Sequence, residues 1–206
     1  FMGTPHFAVA TLQALVEDEF HVVGVVTAPD RPAGRGKQMS CSAVKTAAID
    51  LGIPVLQPEK LRSEQFLQDL KELKADLQIV VAFRMLPEAV WSMPPLGTFN
   101  LHASLLPHYR GAAPINHALM NGESKTGVTT FMLDHEIDTG KILFQEQVEI
   151  SQEDNAEALH DKLMGVGAKL VLKTTMSILD NTYQAISQES LMSIAAELKR
   201  APKIYK

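Results

Sequence analysis

The sequence predicts a doubly wound α/β fold, a mostly parallel but mixed sheet flanked by helices. Three observations predict it. The Val- and Ile-rich runs "HVVGVVTA" (21–28) and "DLQIVVAF" (76–83) are nearly continuous apolar segments of strand length, as strands buried on both faces require. Segments with helical spacing of apolar residues lie between them, and alternating strand and helix argues for right-handed crossovers onto a parallel sheet. Later, "TGVTTFML" (126–133) and "KILFQEQVEI" (141–150) flank a short turn containing D-T-G, which suits a hairpin-like antiparallel pair and makes the sheet mixed.

Taken in order, "FMGTP" reads as a strand end, and "FAVATLQALVED" (7–18) as a helix with Phe7, Leu12, Leu15 and Val16 close to one side. After the strand at 21–28, "PDRPAGRGK" (29–37) is a Pro- and Gly-rich basic loop. A helix over 42–52 begins on Ser42 as N-cap and stops at Gly52 as C-cap. Another, over 63–74, repeats apolar residues at Phe66, Leu67, Leu70 and Leu73. Beyond the strand at 76–83, "TFNLH" opens from a buried-looking strand into the loop "ASLLPHYRGAAP". The late strand pair is followed by a long helix from about Asn155 to Leu179. No repeat or low-complexity tract interrupts this order.

The 206 residues fit one large domain, or one domain with a short extension, and can bury a core without disulfide or metal support. A lone cysteine, Cys41, allows no intrachain disulfide, and no apolar run approaches a membrane span, so a reducing, cytoplasmic setting away from membranes is expected. A net charge of −5 argues against a chain coated for nucleic acid but leaves room for local basic patches at 30–37 and 197–206. The ends "FMGTP" and "APKIYK" read as cut, so a fragment of a longer protein is expected.

Several known sites are excluded by spacing. "GTPHFA" (3–8) has one glycine where a dinucleotide fingerprint needs three, and no phosphate-loop motif occurs. No H-x-x-x-H or C-x-x-C pair is present, so a metal site is not expected. What remains is polar chemistry at a strand end. Asn100 and His102, two residues apart, share one face of a strand. They are either an oxyanion clamp or two polar residues capping a strand end. Leu105 and Leu106, in a loop fixed by Pro107 and Gly111, either form an apolar ligand wall or pack beneath the loop. Asp138, in the turn I-D-T-G, either bonds its own backbone or folds back to orient His102 and favour its protonated form. Arg31, Arg35 and Lys37 either decorate a solvated loop or contact phosphate.

N-L-H-A-S-L-L-P followed by D-T-G resembles the folate-dependent formyltransferase family along nearly the whole chain. Within it, "GTPHFA", "PDRPAGRGK", "SAVK" and "RGAAPI" resemble the branch whose acceptor is initiator methionyl-tRNA. The resemblance implies a Rossmann-like formyltransferase fold and transfer of a formyl group from 10-formyltetrahydrofolate as co-substrate, with no metal. It implies a catalytic trio of Asn100, His102 and Asp138. Folate contacts would come from Phe83, Arg84, Met85 and Leu86 and from Ser104, Leu105, Leu106 and Pro107, and tRNA contacts from Arg35 and Lys37. It further implies a catalytic domain over 1–195, with 196–206 beginning a linker to an absent OB-like domain, and a monomer is expected. The chain departs from the family pattern in having Ala43 where S-P-V-K has proline, and "VAFRMLP" (81–87) is one residue short of the usual segment. Rival readings are a formyltransferase or hydrolase acting on a sugar nucleotide or on formyl-folate itself, and a non-catalytic binding module.

Overall fold

The computed structural model describes residues 1–33, 38–192 and 199–201. The chain divides into two compact units, Phe1–Thr98 and Phe99–Lys206.

The first unit contains, in order, β1 (Met2–Gly3), α1 (Phe7–Glu17), β2 (Val25–Val26), β3 (Arg31–Ala33), β4 (Gln38–Ser40), α2 (Ala43–Asp50), β5 (Val55–Leu56), α3 (Glu64–Glu72), β6 (Gln78–Val81) and α4 (Glu88–Trp91). Its main ladder runs β6-β1-β2-β5, parallel throughout, with Met2 opposite both Val80 and Val26, and Val25 opposite Val55. The strands are shorter than their apolar runs. Residues 21–24 stay outside the ladder, and Pro54, which has no N–H, precedes β5 on the neighbouring edge. β5 itself, two residues between Pro54 and Pro58, is too short to leave a periodic signal. The helix signals hold. Ser42 accepts from the Lys45 N–H at 3.0 Å and Ser63 from the Phe66 N–H at 3.4 Å, each closing an N-terminus. Gly52 stops α2 with φ +69°. At Gly3 a side chain would meet the Ala8 methyl at 2.7 Å, so glycine permits the abrupt step from β1 into α1.

The second unit opens within β7 (Thr98–His102) and continues with β8 (Arg110–Gly111), α5 (Pro114–Met120), β9 (Lys125–Met132), β10 (Ile142–Glu149), α6 (Ala156–Leu179), α7 (Gln188–Met192) and β11 (Arg200–Ala201). β7 and β10 both pair antiparallel with β9, and β8 pairs in parallel with β11. The β9–β10 connection is longer than a tight hairpin turn, and the register breaks between Ile142 and Phe144. Asn155 caps α6 by accepting from the Ala158 N–H at 2.8 Å. Leu159, Leu163, Leu170, Val171 and Ile178 of α6 are buried, and Gly167 makes room for Leu101 of β7. Parallel pairing in the first unit and antiparallel pairing in the second make the strand arrangement mixed and mostly parallel, with helices alongside, as predicted. No described helix is long and apolar enough to cross a membrane.

One buried group in the first unit is left unsatisfied. Thr11, fully buried in α1, has no described partner for its hydroxyl. Such a hydroxyl costs about 1–3 kcal/mol. Thr11→Val keeps the shape and removes it, so urea unfolding should show a gain of about 1 kcal/mol. A comparable loss would mean that the hydroxyl has found a partner.

Candidate active site

The pleat of β7 separates its residues cleanly. Phe99 and Leu101 point one way, and Leu101 packs against Gly167, where a side chain would come within 2.7 Å of its Cδ2. Asn100 and His102 therefore share the opposite face, opposite Phe131 and Thr129 of β9. His102 is 7% exposed, while Asn100 is half-buried, and no described residue hydrogen-bonds its amide.

The imidazole is held by backbone. Its Nε2 lies 2.9 Å from the Tyr109 carbonyl oxygen. A carbonyl only accepts, so Nε2 carries the hydrogen and donates. That bond turns Nδ1 toward Asp138, whose Oδ2 lies 3.8 Å away. The separation is too long for a hydrogen bond. The same Oδ2 accepts from the Gly111 N–H at 2.8 Å. Three consecutive residues, Tyr109 to Gly111, thus brace both the imidazole and the carboxylate.

The loop before them is packed inward. The Ser104 hydroxyl donates to the His108 carbonyl at 2.7 Å. The Thr129 hydroxyl donates to the Ser104 carbonyl at 2.6 Å and accepts from the Leu106 N–H at 3.1 Å. The Gln145 amide donates to the Leu106 carbonyl at 2.8 Å and to the Thr129 hydroxyl at 2.9 Å. Leu106 is buried with Phe131 and Ile142, and Leu105 covers Gly127, where a side chain would come within 2.5 Å of it. Of the two alternatives the sequence allowed, the leucines pack beneath the loop and anchor it. Pro107 is buried as well, and its peptide bond with Leu106 is cis.

Tyr109 is fixed at both ends. Its N–H donates to the Lys199 carbonyl at 2.8 Å. Its hydroxyl donates to Glu123 and accepts from the Asn121 amide at 2.9 Å, and Lys199 also bonds Glu123. Burial raises the Tyr109 phenol above its ordinary range, and the Glu123 carboxylate adds to this. Burial pushes the Glu123 carboxyl up, but the hydrogen bonds from Lys199 and Tyr109 outweigh it and hold the group below the usual carboxylate value.

In the loop after β9, Asp134 accepts from the Glu136 N–H at 3.1 Å and from the Thr139 hydroxyl at 2.8 Å. It shapes the turn, and Glu136 stays exposed. Asp138 itself takes φ +55°, a left-handed conformation tolerated by aspartate. Gly140 completes D-T-G for a spatial reason, since any side chain there would overlap the Met132 carbonyl.

The remaining predicted residues lie in the first unit or outside the described residues. Phe83, Arg84, Met85 and Leu86 follow β6. The Arg84 guanidinium donates to the Pro58 carbonyl and, at 3.1 Å, to the Glu59 carbonyl, and it lies over the Phe83 ring at 5.6 Å. Leu86 is buried, and Met85 is 66% exposed. Arg35 and Lys37 lie outside the described residues. Their flanks are not simple loop, because β3 and β4 pair as an antiparallel ribbon. Its base is pinned at Asp30, which pairs with Lys45 and accepts from Gln57 at 2.8 Å. The hydrogen bonds from Lys45 and then Gln57 hold the Asp30 carboxyl below its ordinary value.

Sequence reasoning missed the Tyr109 carbonyl, the Thr129 hub and Gln188, which bonds the backbone of the Asp138 loop. A backbone carbonyl has no sequence signature, and Thr129 reads only as a strand residue. Among the described residues, no group of His, Cys, Asp or Glu side chains is arranged to hold a metal ion. An amide and one ring nitrogen without hydrogen-bond partners among the described residues, beside a carboxylate, form a donor set suited to a carbonyl oxygen on which negative charge develops.

Comparison with known proteins agrees with this chemistry. Residues 1–175 match a family model described as formyl transferase. A methionyl-tRNA formyltransferase of Bacteroides thetaiotaomicron is 61% identical over 206 residues, all of this chain and 64% of that protein. One from Porphyromonas gingivalis is 52% identical with the same coverage. The chain thus spans about 64% of the length of these curated relatives. Among solved structures, phosphoribosylglycinamide formyltransferase from Bacillus halodurans is similar with a TM-score of 0.72 and 25% identity, covering 86% of this chain and 93% of that one. An N-formyltransferase from Helicobacter canadensis, in complex with folinic acid and dTDP-3-aminofucose, reaches a TM-score of 0.68 at 24% identity over 97% of this chain and 69% of that one, a likeness of fold alone.

The packing at Gly140 makes one prediction independent of activity. Gly140→Ala should destabilise the protein by about 2–4 kcal/mol, because backbone blocks the added methyl. Urea unfolding measures this, and an unchanged midpoint would contradict the tight turn.

Proposed function

The chain belongs to the formyl transferase family, and we propose that it carries out the formyl transfer of an enzyme acting on initiator methionyl-tRNA. The donor in this reading is 10-formyltetrahydrofolate and the acceptor is the amino group of the methionyl ester. The observation that carries the acceptor assignment is 52–61% identity, across all of this chain, to proteins named methionyl-tRNA formyltransferase. The sugar-modifying neighbour, at 24% identity, supports no rival acceptor.

Asn100 and His102 are the groups that meet the reacting carbonyl. The acceptor amine adds to the formyl carbon, a C–N bond forms, and the carbonyl oxygen becomes an oxyanion. Asn100 donates one hydrogen bond to it from an amide that no described residue occupies. His102 donates the second from Nδ1, because Nε2 is already committed to Tyr109. Two such preorganised donors stabilise the tetrahedral state without reorganising when charge appears. Asp138 stands 3.8 Å from Nδ1 and keeps the ring aimed. Collapse breaks the bond from the formyl carbon to the folate nitrogen, and the proton that the amine gives up to a water beside His102 passes to that nitrogen, which leaves as tetrahydrofolate. In this reading the folate contacts are Phe83, Arg84, Met85 and Leu86 of the first unit and Ser104, Leu105, Leu106 and Pro107 of the second.

Arg35 and Lys37, in the basic segment of a chain of net charge −5, supply tRNA phosphate contacts. Residues 1–195 carry the catalytic domain in this reading. The enzyme acts as a cytoplasmic monomer.

The test uses the whole protein with 10-formyltetrahydrofolate and three acceptors in parallel: initiator methionyl-tRNA, glycinamide ribonucleotide and an amino-sugar nucleotide. Transfer to the tRNA alone is expected, and preferential transfer to either small acceptor would overturn the assignment. His102→Ala and Asn100→Ala should each lower kcat by about 100- to 1000-fold. More than about a tenth of the rate retained by either variant would remove that residue from the oxyanion site. Arg35→Ala should weaken tRNA binding and flatten its salt dependence by about 0.9 in log–log slope, with folate affinity unchanged.

A further inference from the structure

We infer that Gln188, which no sequence motif marks, is the positioning residue that sets Asp138 against His102. The inference rests on the role given to Asp138 above. Gln188 opens the short helix α7 and is 1% exposed, a rare degree of burial for an uncharged amide with four hydrogen-bonding positions. All four are used. Its Nε2 donates to the Asp138 carbonyl at 2.9 Å and to the Gly140 carbonyl at 2.8 Å. Its Oε1 accepts from Arg110 Nε at 3.0 Å and from an Arg110 terminal nitrogen at 2.7 Å.

These bonds close a circuit around the site. Gln188 holds the Asp138 backbone, the Asp138 carboxylate accepts from the Gly111 N–H, Gly111 is joined to Arg110, and the Arg110 guanidinium returns to Gln188. Asp138 needs such a hold, because it stands at φ +55°, a conformation that strains a residue with a side chain. Releasing its carbonyl lets the backbone relax out of the left-handed region and carries the carboxylate away from Nδ1. Both ends of the circuit depend on amide chemistry. Glutamate would turn two donors into a carboxylate facing two carbonyls, asparagine is a methylene too short to reach both, and methionine fills the volume with no bond at all.

A positioning role differs from a merely structural one in what the kinetics read. In the whole protein, Gln188→Glu and Gln188→Met should lower kcat by about ten- to a hundredfold, the usual cost of small misplacements at a reacting centre. KM for the folate and for the tRNA should stay within about twofold, since Gln188 touches neither substrate. If Gln188 acts through Asp138, the loss is not additive, and Gln188→Met combined with Asp138→Asn should be no slower than Asp138→Asn alone, within about threefold. Multiplied losses in the double variant, or a raised KM with kcat unchanged, would overturn the inference while leaving Asp138 in place. An Asp138→Asn enzyme of undiminished rate would overturn the Asp138 role and the inference with it. Wild-type protein gives a readout that needs no variant to fold. Both side-chain amide protons of Gln188 should exchange slowly with deuterium in an NMR experiment, and exchange at the rate of an exposed glutamine would overturn the inference.

Discussion

One stretch of backbone fixes both His102 and Asp138. The Tyr109 carbonyl takes the hydrogen of His102 Nε2, and two residues on, the Gly111 amide gives its hydrogen to Asp138. The first bond decides which ring nitrogen is free and which way it faces. The second decides where the negative charge stands. In the proposed reaction neither side chain could do its part without the other contact. A histidine free to flip would present either nitrogen to the formyl carbonyl, and an aspartate free to turn would lose its aim at the ring.

That backbone is not relaxed. Tyr109 at φ +59° and Ala113 at +53° are non-glycine residues in the left-handed region, and Gly111 at +103° lies where only glycine is comfortable. Left-handed conformations cost of order 1–3 kcal/mol each for ordinary residues, whereas one hydrogen bond returns about 1 kcal/mol net. No single contact could hold the loop, and none is asked to. Tyr109 is tied through its N–H, its carbonyl and its hydroxyl, and β11 lies alongside β8. Inside, Thr129 and Gln145 lock the preceding turn, and Leu106 buries itself among Phe131 and Ile142. The strain is concentrated where the two reacting groups are braced and offset by packing around them.

Much of this was legible in the sequence where the physics is local. The i, i+2 spacing of Asn100 and His102 alone puts them on one face of β7, and the caps Ser42, Ser63 and Asn155 each sit beside a helix start. Other features depend on partners distant in sequence. Whether Leu105 and Leu106 face a ligand or the interior turns on Gly127 and Phe131, which supply the space and the apolar partner. The strands shrink from eight-residue runs to ladders of two to four because a strand extends only as far as its neighbour can pair. Gln188 could not have been found at all, since a lone glutamine in a polar stretch reads as surface. The basic segment read as loop, yet β3 and β4 form a ribbon whose base is an ion pair between Asp30 and Lys45. The resemblance to S-P-V-K thus acquires a physical content, with Ser42 capping a helix and Lys45 pinning the ribbon.

In the proposed reaction Asn100 and His102 Nδ1 together receive the oxygen of the formyl group. A crystal structure of the whole protein with a non-transferable formyl-folate analogue shows whether they do. The formyl oxygen should lie about 2.7–3.2 Å from both Asn100 Nδ2 and His102 Nδ1, with Nε2 still on the Tyr109 carbonyl. A formyl oxygen bonded elsewhere, or a histidine ring turned to offer Nε2, would contradict it.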